Sequence, residues 1–182
     1  YKGQDFIPNM ADNIKQYVKL SNSNVLSLFN SKKRLEDTYN ILADDLYETN
    51  INVYMNKKGI KCLKNAEDKS IVLGSKGFFE GVDVPGDGLV FVTLDKLPNL
   101  NPTDPLYFSI MTKFNKNYFD VNYPQMIIKV KQALGRLLRS KYDYGVFVLF
   151  NMGNSTYINK KLENNLHGCI ITEANRNNIQ RY

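Results

Sequence analysis

The chain has 182 residues, a length that suits one domain with a sizeable hydrophobic core. Hydrophobic residues make up 43% and charged residues 23%, as in an ordinary globular protein, and the two cysteines, Cys62 and Cys169, lack the paired spacing of a disulfide framework or a zinc site. The net charge of +6 is compatible with nucleic-acid binding, but charge alone is weak evidence because many domains are mildly basic.

Segments with strand and helix patterns alternate along the chain. Buried strands are predicted from apolar runs at 25–29, 51–55, 71–73, 89–94 and 146–150, with a possible last strand at 169–172. Helices are predicted at 31–46 (capped by Ser31), 57–66, 105–119, 125–140 and 154–166. This alternation predicts an α/β fold with a mostly parallel sheet covered by helices on both faces. The polar residues 1–20 are expected to form a loosely ordered lead-in, 21–172 the domain, and 173–182 a loosely ordered tail.

The sequence carries no recognisable signal for a membrane or a metal. No secretory signal, long apolar span or lipidation motif is found, so a cytoplasmic protein without a membrane partner is expected. His167 is the only histidine and has no acid or cysteine at ligand spacing, so no metal site is expected. Because the chain begins at Tyr1 rather than Met, we expect it to be a piece of a longer protein.

A basic motif, Gln-Ala-Leu-Gly-Arg-Leu-Leu-Arg, occupies residues 132–139. Its spacings of four and three would place Gln132, Arg136 and Arg139 on one face of a helix, with Gly135 allowing close backbone approach. The planar guanidinium matches phosphate oxygens, so two arginines on one face suggest a clamp on a transferring phosphoryl group. Taken alone, a solvated basic face is an equally good interpretation.

A glycine-rich loop about fifty residues upstream favours the phosphate-binding interpretation of this motif. Residues 74–86 contain four glycines, one proline and two acids between two predicted strands. Such a composition indicates a specific, functional loop.

Together these segments resemble the C-terminal motor domain of superfamily 2 helicases of the DinG and XPD type. In that family a strand leads into Phe-Trp-Glu-Gly-Val-Asp-Xaa-Pro-Gly, then Lys-Leu-Pro, Pro-Xaa-Asp-Pro and Gln-Xaa-Xaa-Gly-Arg-Xaa-Xaa-Arg. The matching segments here are 78–86, 96–98, 102–105 and 132–139. Their order, spacing and strand contexts match over roughly residues 20 to 165. The departures are mild, with Phe79 where tryptophan is usual and Gly77 where serine is usual.

The resemblance implies a RecA-like P-loop NTPase-type fold that completes an ATP site between two motor domains. It makes Arg139 the arginine finger, Arg136 its partner on the γ-phosphate, and Gln132 the group that orients the nucleotide or the attacking water. The other residues implied at the nucleotide, or in coupling it to DNA, are Gly135, Glu80, Gly81 and Asp83. Plain loop capping is the alternative role for the two acids.

The resemblance also implies contacts with the backbone of single-stranded DNA, at Asn30, Ser31, Lys32, Ser75, Lys76 and Gly77. A hydroxyl and backbone N–H groups at a helix N-terminus suit a phosphate. Such contacts carry no sequence information, as a translocating motor requires. A pure N-cap is the alternative for Ser31, and the two roles are compatible.

Only half of an ATPase site is present in this sequence. It has neither a Gly-Xaa4-Gly-Lys-Ser/Thr loop nor an acidic box, so ATP with Mg²⁺ is expected to be held mainly by an N-terminal motor domain of the same protein. No iron–sulfur cluster is expected in this segment, since a cluster needs about four thiolates. The sequence thus favours the C-terminal half of an ATP-dependent DNA helicase. The alternative is a non-catalytic nucleic-acid-binding or regulatory module of a DinG-type nuclease, and the two intact arginines favour the helicase.

Overall fold

A parallel five-stranded sheet forms the centre of the molecule. The computed structural model describes residues 5–63, 69–78, 89–138, 143–151 and 156–172. The sheet has the order β2-β3-β1-β4-β5, with every neighbouring pair parallel. Its strands are β1 (Asn24–Leu28), β2 (Asn52–Met55), β3 (Ser70–Gly74), β4 (Leu89–Leu94) and β5 (Val146–Leu149). These lie within a few residues of the predicted runs, and the predicted α/β class is confirmed.

One helix precedes the first strand, and the other helices follow strands along the chain. They are α1 (Phe6–Ser21), α2 (Lys32–Leu46), α3 (Ile60–Leu63), α4 (Pro105–Lys113), α5 (Tyr118–Leu134) and α6 (Thr156–Glu163). Short 3-10 turns at Asn56–Gly59 and Lys76–Phe78 follow β2 and β3. The Ser31 cap of α2 is confirmed, because its side chain accepts a hydrogen bond from the Arg34 N–H.

Apolar side chains on the two faces of the sheet form two cores. Leu26, Val72 and Val92 pack on one side with α5 residues such as Met126 and Val130. The alternate strand positions pack on the other side with α1 and α2, in a cluster that includes Val25, Ile71, Phe91, Ile14, Tyr17 and Leu42. Successive strand residues point to opposite faces, so helices cover both faces as predicted.

The expected loose order of residues 1–20 is wrong for α1. Met10, Ile14, Tyr17 and Val18 are at most 1% exposed, and the Tyr17 ring stacks on Phe91 with centroids 5.0 Å apart. Their spacing of three, four and seven forms an apolar stripe that faces the sheet. Helix α1 therefore contributes to the core.

The two middle helices differ from their predicted bounds. The helix predicted at 105–119 ends at Lys113, and α5 begins at Tyr118 rather than at 125. Asn117 caps α5 by accepting the Asp120 N–H at 2.9 Å, and the helix then accommodates Pro124 in its interior. At its other end α5 stops at Leu134 instead of continuing to 140, with Gly135 as its C-cap.

Three further elements differ from their predictions. No strand forms at 169–172; Ile170 is 95% exposed, and the run pairs with no described strand. The last helix is shorter than 154–166, and the predicted basic helix at 57–66 divides into a 3-10 turn and α3, with 64–66 outside the described residues. The tail 173–182 also lies outside them, and the domain bounds at 20 and 172 remain predictions.

Candidate functional site

The loops after β1 and β3 lie side by side at the carboxyl edge of the sheet. The two strands pair in parallel, with Leu28 opposite Gly74, and Phe29 N–H donates to the Gly74 carbonyl at 2.8 Å. The segments 30–32 and 75–77 leave the sheet directly beyond this bond. The topology therefore brings together the two segments predicted to contact DNA, at the edge where open α/β sheets bind ligands.

The start of α2 offers several groups that suit an anion. The Ser31 hydroxyl accepts the Arg34 N–H at 3.4 Å. The N–H groups of Lys32 and Lys33 have no acceptor within the helix, because they stand in its first turn. Lys32 is exposed, and its 3.7 Å ion pair with Glu36 lies on the surface, where such pairs stabilise little. Hydroxyl, amide and ammonium groups therefore face solvent at one helix terminus.

Asn30 is only partly buried, but hydrogen bonds to the segment after β4 hold its side chain in place. Its backbone N–H and its Nδ2 donate to Asp95 Oδ1 at 3.0 and 3.1 Å, and Nδ2 also donates to the Lys96 carbonyl at 2.8 Å. Asp95 is 1% exposed. Burial raises the pKa of Asp95, and the Asn30 hydrogen bonds and the charges of Arg34 and Lys96 offset only part of that rise.

Asn56 also lies at the carboxyl edge of the sheet, and the sequence analysis did not identify it. It follows β2 with a left-handed φ of 52°, and its Oδ1 accepts the Ser75 N–H at 3.1 Å. Two clefts of about 610 and 560 Å³ meet at Asn56 and Ser75, the first also lined by Lys57 and Lys58. The signal available was Asn-Lys-Lys directly after a strand, because asparagine tolerates the left-handed region that such a turn requires.

Gln132, Gly135 and Arg136 lie at the other end of the fold. Gln132 is in the last turn of α5, whereas Arg136 lies beyond the helix in a turn closed by its N–H donating to the Ala133 carbonyl at 3.1 Å. The helix predicted to continue through the motif therefore ends before Arg136. The Oε1 of Gln132 is buried, and no hydrogen-bond partner for it lies among the described residues.

Contacts at its two ends fix the direction of α5. Near its start, Asn122 Oδ1 accepts the Leu100 N–H at 2.7 Å, in the segment that follows β4. Beyond its end, a Cβ placed on Gly145 would lie 2.7 Å from both Leu137 Cδ2 and the carbonyl of Val90, near the beginning of β4. Gln132, Gly135 and Arg136 thus lie toward the amino edge of the sheet, at the far end of a helix whose 17 residues span about 25 Å at the usual rise of 1.5 Å per residue.

Several predicted site residues lie outside the described ranges. These are Arg139, Glu80, Gly81 and Asp83, together with the side chain of Lys76. Their roles stay predictions. Gly77 is described and exposed, and His167 is exposed as well.

Across the described ranges, no cluster of three or more His, Cys, Asp or Glu residues could hold a metal ion. No helix within these ranges is long and apolar enough to span a membrane.

One protein-family model matches most of the chain. The model of the helicase C-terminal domain matches residues 14–168. The chain belongs to this helicase family. The match covers α1 from Ile14 onward, all five strands and the segments in which both predicted contact sets lie.

Individual relatives agree with the family match. The chain is 32% identical over 159 residues to the 3'-5' exonuclease DinG of Staphylococcus epidermidis, covering 84% of this chain and 18% of the relative. It is 31% identical over 167 residues to the protein of the same name from Staphylococcus aureus, covering 87% and 18%. The helicase domain therefore spans less than a fifth of the length of these relatives.

Solved structures show the fold. One described as XPD helicase superposes with a TM-score of 0.66 at 16% identity, over 90% of this chain and 31% of that one. The Xpd4 protein of S. tokodaii superposes with a TM-score of 0.59 at 18% identity, over 89% and 33%. The fold is the RecA-like α/β fold, and the resemblance to the C-terminal domain of DinG/XPD-type helicases is confirmed.

Proposed function

We propose that this domain is the second motor half of an ATP-dependent DNA helicase of the DinG type. The observation that carries the proposal is the convergence of the α2 N-terminus and the β3 loop on one edge of the sheet. Two loops of a parallel sheet that present hydroxyl, amide and lysine groups together suit the phosphates of a single strand.

The DNA contact proposed here is to the phosphodiester backbone. Ser31 and Lys32 at the α2 N-terminus, and Ser75 and Gly77 beside them, offer backbone and short polar groups instead of aromatic platforms. Asn30 contributes by holding its loop, since its amide nitrogen is engaged by Asp95 and Lys96. Binding through phosphates is independent of sequence and weakens with salt, which suits a translocating motor.

The nucleotide contact proposed here is at the opposite edge. Gln132 has a buried amide oxygen, which is costly without a hydrogen bond, so a ligand or a neighbouring group that supplies a donor is expected there. Arg136 in the adjacent turn, and Arg139 beyond it, supply guanidinium groups that fit phosphate oxygens. The sequence has neither a phosphate loop nor an acidic box, so the metal and most of the nucleotide are assigned to the N-terminal motor domain.

The test is Arg139→Ala in the full-length polypeptide that carries this domain. Loss of an arginine finger should lower kcat for DNA-stimulated ATP hydrolysis by at least about 10², and Arg139→Lys should restore little because lysine lacks the planar fork. Affinity for single-stranded DNA without nucleotide should stay the same. Lys113→Ala, on the exposed surface of α4, is the matched control and should leave both quantities unchanged.

A second candidate is a non-catalytic module beside a nuclease. The name of the staphylococcal relatives, 3'-5' exonuclease, favours this reading for a protein of the same type. A full-length protein that binds single-stranded DNA but hydrolyses no ATP, and whose nuclease activity is unaffected by Arg139→Ala, would support it over the motor.

A further inference from the structure

We infer that Asp95 is a positioning residue, which holds the loop between β1 and α2 in the shape that receives the nucleic-acid backbone. The inference rests on the proposed function, because the loop that Asp95 fixes ends at Ser31 and Lys32. Asp95 follows β4, a strand that pairs with β1 on the side opposite to β3. Asp95 therefore lies on the side of the β1–α2 loop that is away from the β3 loop. Because it is buried, it does not touch the ligand itself.

One oxygen of Asp95 organises three donors. Its Oδ1 accepts the Asn30 N–H at 3.0 Å, the Asn30 Nδ2 at 3.1 Å and the Lys96 N–H at 2.8 Å. The two bonds from Asn30 fix both the backbone and the side chain of this residue, which directly precedes Ser31. Bonds to a carboxylate are stronger than those to a neutral acceptor, so the loop is held more firmly than a carbonyl would hold it.

The second oxygen connects Asp95 to the first turn of α2. Asp95 Oδ2 lies 3.6 Å from Arg34 Nη1, an ion pair longer than a hydrogen bond. The Arg34 guanidinium also lies 5.0 Å from the centre of the Phe6 ring on α1. The Arg34 backbone N–H donates to the Ser31 hydroxyl that caps α2. Asp95 thus holds the residues on both sides of Ser31.

The charge of Asp95 argues against a role in attracting DNA. A carboxylate behind an anion-binding loop repels phosphates, and removing it should by electrostatics alone tighten binding. Asp95 is also 1% exposed, and burying a carboxylate is costly. A buried acid at this position is explained by the order that it gives to the loop.

The test compares single-stranded oligothymidine binding by the 182-residue chain and its variants, using fluorescence anisotropy. Asp95→Ala should weaken binding by about tenfold although it removes a negative charge, because the loop loses its acceptor. Asp95→Asn keeps an acceptor oxygen and should lose less. Asn30→Ala removes the other partner and should weaken binding as well. Asp45→Asn, which removes the same charge from an exposed ion pair with Lys15, is the control and should not weaken binding.

A second measurement separates positioning from a general loss of fold. Amide hydrogen exchange of the folded Asp95→Asn and Asn30→Ala chains should rise at 30–34 and stay unchanged in β3. If Asp95→Ala does not fold, these two variants carry the test. Folded variants that bind as tightly as the unchanged chain would overturn the positioning role of Asp95 but not the proposed DNA contact. An unchanged chain that does not bind the oligonucleotide would overturn the proposed DNA contact and, with it, this inference.

Discussion

Ser31 has two proposed roles that a pair of substitutions can separate. Its hydroxyl caps α2 by accepting the Arg34 N–H, so Ser31→Ala should lower the free energy of unfolding by about 1 kcal/mol. Ser31→Asp keeps a capping oxygen and its charge favours the helix N-terminus, but it repels phosphate. We expect the Asp variant to keep its stability and lose about tenfold in affinity for single-stranded DNA. Urea denaturation and anisotropy measure the two quantities, and a stable Asp variant with undiminished affinity would remove Ser31 from the contact.

Asp95 should give the stability of the chain a defined pH dependence. Its folded pKa is raised, mainly by burial, so the folded chain binds more protons than the unfolded one between the ordinary aspartate pKa of about 3.9 and the raised value. The stability associated with Asp95 is therefore full below about pH 3.9 and falls as the pH rises. Asp95→Asn cannot ionise and should lack this fall.

Urea denaturation of both chains from about pH 4 to about pH 7 gives the comparison. With rising pH, the difference between their free energies of unfolding should shift in favour of the Asn variant. A difference that is constant over this range, or that shifts toward the unchanged chain, would contradict the raised pKa.

Single residues differ in how far the sequence reveals them. Ser31 was predictable, because capping depends on its immediate neighbours and on the apolar pattern that follows. Asp95 was not, because its partner Asn30 lies 65 positions away and meets it only through the pairing of β1 with β4. Asn56 lies between these cases, since its residue type favoured a turn but its bond to Ser75 depends on the pairing of β2 with β3.

Two glycines in equivalent turns should respond differently to substitution. A Cβ at Gly59 would lie 2.6 Å from Val72 Cγ2 and 2.8 Å from Tyr54 Cβ, both in strands that cannot easily move. Gly59→Ala should therefore cost about 1–3 kcal/mol of stability. At Gly77 no described atom lies within 4 Å of such a Cβ, so alanine should change stability by no more than about 0.5 kcal/mol.

Gly77→Ala should instead weaken binding of single-stranded DNA, because glycine permits the closest approach of a backbone to a ligand. Thermal denaturation and oligonucleotide anisotropy of both variants distinguish the two effects. Unaltered DNA binding by Gly77→Ala would exclude a close contact there. A Gly59→Ala chain as stable as the original would show that the packing around β2 is looser than described.

The elements themselves were predicted unevenly. The strands were found to within a few residues because their residues are mostly apolar, and β1 and β3 are in addition fully buried. Helix α1 was missed because polar residues separate its apolar stripe, although Met10, Ile14, Tyr17 and Val18 have helical spacing. The end of α5 could not be found from its pattern, because the Leu spacing continues past Leu134. What ends the helix is the turn that places Leu137 against Gly145 and β4, a tertiary contact.

At the scale of the whole molecule, the two predicted contact sets are separated. The described members of the DNA set lie at the carboxyl edge of the sheet, and Gln132, Gly135 and Arg136 lie toward its amino edge. The motifs identified the family correctly because their order and strand contexts matched. The separation of the two sets could not be read from them, since it depends on the direction in which α5 crosses the sheet.

The most direct test of this account is a backbone amide chemical-shift titration of the 182-residue chain with a short single-stranded oligonucleotide. We expect the shifts to change at 30–32 and 75–77, to decline in size as salt is added, and to leave Gln132 and Arg136 unaffected, because only phosphates at the carboxyl edge are contacted. Changes confined to 132–137, with Ser31 and Ser75 silent, would show that the DNA and nucleotide surfaces have been exchanged and would contradict the account.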